Sequence, residues 1–207
     1  MLGRALARIL FFKETRSYES ALVEIDSAGR SLLGLNTDAL ERLPVEDLKN
    51  ILGSDSSLLQ SRLYTAGVLL KEKAGLLGLT GKQEESAVLY LKSLRLLTED
   101  VEGIDEVDGG KAIPTVDSVV MELQEYELPG DLNRRLVRYF ELSGRYDKSE
   151  NLIFEIVETN PNFLADGISF YERLLAKSDA ELENGRLPRS EVKDALALLR
   201  KKLAEVG

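Results

Sequence analysis

Arg134 and Arg138 are four residues apart, so a helix through 132–143 puts both guanidinium groups on one face. Arginine suits carboxylates because its planar fork donates two parallel hydrogen bonds. Arg135 lies beside them, and Glu141 follows Arg138 by one turn, so pairing within the helix is the simpler fate for this row. The other residues able to do chemistry are carboxylates. Glu99, Asp100, Glu102, Asp105, Glu106 and Asp108 crowd one loop, which raises a calcium reading. A calcium-binding loop needs Gly at its sixth position and a bidentate Glu at its twelfth. Counted from Thr98, the sixth residue is Gly103 but the twelfth is Gly109, so the bidentate ligand is missing and a solvated loop is expected. DGGK at 108–111 ends as a phosphate loop would. It lacks the earlier glycine, a Ser or Thr after Lys111 and a preceding strand. Glu122 with Glu125, and Glu181 with Glu183, could share acid–base work only inside a pocket. An acidic helical chain makes such pairs by chance, and these are expected to face solvent.

Composition narrows the chemistry further. The chain of 207 residues contains no His and no Cys. The commonest general base, the commonest transition-metal ligand and every thiolate are therefore absent. A Ser-His-Asp or Cys-His nucleophile cannot be built, and a zinc site would need carboxylates alone. No catalytic residue, metal or cofactor is assigned, and an enzyme is not expected. The net charge of −9 repels phosphate backbones, which argues against nucleic acid as a partner. Absence of cysteine fits a reducing, cytoplasmic compartment. The first residues, MLGRALARILFFKETRSYE, read as an amphipathic helix rather than a signal peptide. Arg4 and Arg8 interrupt them, and Leu2, Ala5, Leu6, Ile9 and Phe12 share a face. No apolar run approaches the length of a membrane span.

These side chains would be positioned almost wholly by helices. Apolar residues recur at three and four places, and no stretch sustains alternation. The pattern predicts a helix at 17–34 with Ala21, Leu22, Ile25, Ala28, Leu32 and Leu33 facing inward. Short pieces are expected at 37–43 and 44–52, and longer helices at about 56–79 and 82–97. Beyond the acidic loop of 99–112, helices are expected at 113–128, 132–143, 146–159, 162–183 and 189–206. The cluster Tyr139, Phe140, Tyr146, Phe154, Phe163, Phe170 and Tyr171 is expected to be mostly core, with one or two lining a groove. The last helix is expected to cap the stack or to meet a second copy.

Three stretches share one grammar. Gly144 is followed at fixed spacings by Tyr146, Ser149, Ile153, Ile156 and Pro161. Gly81 is followed by Gln83, Ser86, Tyr90, Ser93 and Thr98, and Arg16 by Tyr18, Ala21, Ile25, Ala28 and Leu33. A turn residue in the left-handed region comes first, then a staple, then a small residue that lets two antiparallel helices approach. This resembles the tetratricopeptide repeat, over helix pairs at about 2–35, 67–100 and 130–163. The turns are 65 and 63 residues apart rather than 34, and the family's tryptophan is missing. The strings YESALVEIDSAGRSLLGLN and LERLPVEDLKNIL also resemble an uncharacterised bacterial family of small tetratricopeptide-like proteins, which implies an all-helical fold and no known activity.

The resemblance implies one all-α domain over 1–207, an irregular right-handed stack of antiparallel helix pairs. It implies a concave face lined by the first helix of each pair, where Lys71, Arg134 and Arg138 would hold a peptide carboxylate. The expected function is a protein–protein adaptor or scaffold, with no nucleic acid or membrane as partner. A self-associating structural protein is the second expectation. An enzyme using carboxylates, Lys or Tyr is the third, and would need a deep pocket.

Overall fold

A computed structural model describes residues 1–53, 56–102 and 112–206. The described residues hold twelve α-helices and no strand. The chain divides into two compact units, Met1–Leu128 and Pro129–Gly207.

The first unit carries α1 (Leu2–Glu14), α2 (Tyr18–Leu33), α3 (Thr37–Arg42), α4 (Val45–Leu52), α5 (Ser56–Leu79), α6 (Gln83–Leu97) and α7 (Ala112–Glu122). Helices α1 and α2 form one hairpin, α5 and α6 another, and α2 lies on α5. The short α3 and α4 also rest on α5, while α7 covers α6. Ile9, Ile25, Leu40, Leu48, Leu52, Leu69 and Leu70 close the core, each almost fully removed from water. Asn36 starts α3 by accepting from the Ala39 N–H at 2.9 Å.

The second unit carries α8 (Gly130–Leu142), α9 (Tyr146–Thr159), a 3-10 turn (Pro161–Phe163), α10 (Leu164–Leu175), α11 (Asp179–Asn184) and α12 (Arg189–Val206). Helices α8 and α9 pair, and α12 packs on α10 and α11. The core gathers Tyr146, Ile153, Phe170, Tyr171, Leu174, Leu182, Leu187, Val192 and Leu199. Of the aromatic cluster, Phe154 alone is only partly buried, packed against this core.

The three anticipated turns share one geometry. Arg16, Gly81 and Gly144 all adopt positive φ, at 56°, 84° and 70°. The next residues, Ser17, Lys82 and Arg145, have nearly the same backbone angles. Each sends its N–H back five residues, to Phe12 O at 2.8 Å, Leu77 O at 2.9 Å and Phe140 O at 2.8 Å. This is the bond that closes a Schellman turn. The hydroxyl just before the turn repeats as well. Thr15, Thr80 and Ser143 donate to Phe11 O, Leu76 O and Tyr139 O at 2.9, 3.1 and 2.7 Å. Five residues past the turn sits the small residue, where Ser86 donates to Ala74 O at 2.8 Å and Ser149 to Val137 O at 2.9 Å. The first hairpin has Ala21 there, fully buried.

Two helices differ from the sequence reading. The helix expected over 113–128 ends at Glu122. Pro129 biases the residue before it away from helix, and the acidic run Glu122, Glu125, Glu127 lacks basic partners within a turn. The helix expected over 162–183 is divided at 176–178. Ser178 accepts from the Glu181 N–H at 3.3 Å while Glu181 accepts from the Ser178 N–H at 2.9 Å. That capping box starts α11 afresh.

Candidate functional site

Helix α8 buries Leu132, Leu136, Val137, Tyr139 and Phe140, which turns Arg134 and Arg138 toward its other side. Both line a shallow groove with Phe163, Asp166, Ser169 and Arg173. The 3-10 turn places Phe163, and Asn160 holds that turn by accepting from the Asn162 N–H at 3.2 Å. Helix α10 supplies Asp166, Ser169 and Arg173.

The two predicted arginines have different surroundings. Glu141 accepts Arg173 through two bonds, Nε to Oε1 and Nη2 to Oε2, both 2.7 Å. Arg138 Nη1 lies 2.9 Å from the same Oε1. Glu141 is 8% exposed, so its carboxylate depends on these cations. Arg134 instead meets Asp166 at 3.2 Å, where both side chains are about half exposed, at 53% and 52%. Its guanidinium also sits 5.6 Å from the centre of the Phe163 ring. An exposed ion pair contributes about 0–1 kcal/mol, so water or a ligand displaces Asp166 at little cost. Arg138 is held in place and Arg134 is available for exchange.

Lys71 belongs to the first unit, on α5. It stands ten residues before its turn glycine, as Arg134 does before Gly144. Its ammonium lies 3.1 Å from Glu72, whose other oxygen accepts from Lys13 at 3.0 Å. Burial pushes the Glu72 carboxyl up, but the two lysines outweigh it and hold it below the usual carboxylate value. Lys71 is thus paired with its chain neighbour Glu72.

Phe163 is one of the aromatics expected to line a groove, whereas Asp166, Ser169 and Arg173 are groove residues that spacing did not reveal. Arg173 meets Glu141 across 32 residues, and no local pattern encodes a meeting at that distance. The candidate carboxylates have ordinary roles. Glu122, Glu125 and Glu183 are exposed. Glu181 completes the capping box of α11, and the Ser178 N–H, the Ser178 hydroxyl and Lys177 hold its carboxyl at about 2. Among the described residues no group of three acidic side chains is placed to hold a metal. Asp105, Glu106 and Asp108 of the calcium reading lie outside the described residues. No helix among those described is long and apolar enough to cross a membrane.

No curated protein and no solved structure matches the chain. One family does, and its match runs over residues 1–204. Described only as a family of unknown function (DUF6483), it spans nearly every element above, and the chain belongs to it.

Proposed function

We propose that the protein is a non-enzymatic interaction module, an adaptor whose tetratricopeptide-like helix hairpins hold an acidic peptide. The three superimposable turn geometries support the repeat-like reading. The observation that carries the peptide reading is the exposed Arg134–Asp166 pair beside Phe163. A carboxylate from a peptide replaces Asp166 on Arg134, and an apolar or aromatic neighbour covers the Phe163 edge. Arg138, fixed by Glu141, adds positive field without needing to move. The absence of His and Cys leaves this groove without an imidazole or a thiolate, which favours recognition chemistry.

The test is a peptide-array screen followed by calorimetric titration of the peptides it selects. Acidic sequences should be enriched. Arg134→Ala should weaken them by about tenfold or more, the loss of one charge-assisted hydrogen bond. Asp166→Ala should tighten binding, because it removes the resident competitor. Acidic peptides that bind wild type and Arg134→Ala equally would reject the groove.

A further inference from the structure

The outer face of α1 has a pattern that the peptide groove does not use. Leu2, Ala5, Leu6, Ile9 and Phe12 turn toward the first unit's core. On the opposite side lie Arg4, Ala7, Phe11 and Glu14, spaced three, four and three residues apart. This spacing makes a single seam along a helix. All four are exposed, Phe11 at 58%, and Leu10 beside them at 55%. Large apolar side chains this open on one short helix need a reason. Arg8, by contrast, is tied down by Glu24 at 2.9 Å. Arg4 and Glu14 make no ion pair among the described residues.

The seam is self-complementary in one orientation only. When two copies of α1 cross antiparallel about a two-fold axis, Arg4 faces Glu14 of the second copy, and Ala7 faces its Phe11. The same two contacts recur with the copies exchanged, as an isologous interface requires. Each phenyl ring then enters the space left by a methyl side chain, and each unpaired charge meets its opposite. A parallel crossing sets Arg4 against Arg4 and Glu14 against Glu14, which is repulsive. We propose that the protein forms a weak, reversible homodimer through α1, packed antiparallel on this seam. One short helix from each copy buries less than about 1,200 Å², which places the contact among transient associations.

Sedimentation equilibrium of the full chain, from roughly 5 to 500 µM, reads the association directly. Wild-type mass should rise toward that of a dimer across this range. Arg4→Glu and Glu14→Arg should each weaken association by about tenfold or more, since each sets like charges opposite one another twice. The combined Arg4→Glu, Glu14→Arg variant should recover wild-type association, and Phe11→Arg should abolish it. All these positions are exposed, and equal helical circular dichroism would confirm that each variant folds. A wild type that stays monomeric throughout would overturn the dimer. Single charge reversals without effect, or a combined variant weaker than both, would overturn the antiparallel seam.

Discussion

Glu141 accepts from two arginines and Asp166 from one, and the two carboxylates differ far more in burial than in chemistry. Removing the Glu141 charge leaves two guanidiniums facing a neutral amide in a nearly dry place. Glu141→Gln should therefore lower stability by about 1–3 kcal/mol, discounted because both arginines reach solvent. Urea denaturation would measure it, and Asp166→Asn should shift the midpoint hardly at all. Two buried tyrosines contribute to the loss of stability at alkaline pH. Burial first, then Glu122 and Glu72, push the Tyr90 phenol up to about 12. Burial and then Glu150 push Tyr171 up as well. A raised phenol pKa means that the folded chain holds this proton more tightly than the unfolded chain does. The associated stability is complete below the ordinary tyrosine value of about 10 and is lost as pH rises toward 12. Denaturation at pH 9 and pH 12 should show the fall, and Tyr90→Phe should reduce it.

At the scale of elements, the turn at Arg16 is the same device as those at Gly81 and Gly144, made with a side chain that resists it. A non-glycine residue in the left-handed region costs about 1–2 kcal/mol, and glycine recovers part of that against its own loss of freedom. Arg16→Gly should raise stability by about 0.5–1 kcal/mol, because the arginine is exposed and its side chain makes no bond among the described residues. Gly144→Ala should lower it by about 1–2 kcal/mol. Thermal melts of the two variants would show opposite shifts. These turns were legible because each is encoded within six residues: a left-handed position, a staple, then a small residue. The division of 162–183 was missed although its signal was equally local. Ser178 and Glu181 spell a capping box, but the apolar period running through them masked it. The arginine row was legible as a shared face, since spacing alone fixes that. Which arginine is free to exchange was not legible, because the answer comes from Arg173 on another helix.

At the scale of the whole molecule, each unit closes a core from its own residues. One core draws on residues between Ile9 and Leu96, the other on residues between Val137 and Leu199. Fragments 1–128 and 129–207, expressed apart, should each show helical circular dichroism and a cooperative melt. A fragment without a melting transition would show that its core is incomplete. The family match runs through both units.

Ser86 and Ser149 each reach a carbonyl only twelve residues back along the chain. A bond that spans so little sequence closes within the time of loop formation, well before distant helices can find one another. Each hairpin thus carries its own latch. The slow events in folding are left to the docking of finished hairpins, where contacts such as Arg173 with Glu141 must bridge 32 residues. Ser149→Ala should then act mainly on the rate of folding, while Glu141→Gln should act mainly on the rate of unfolding.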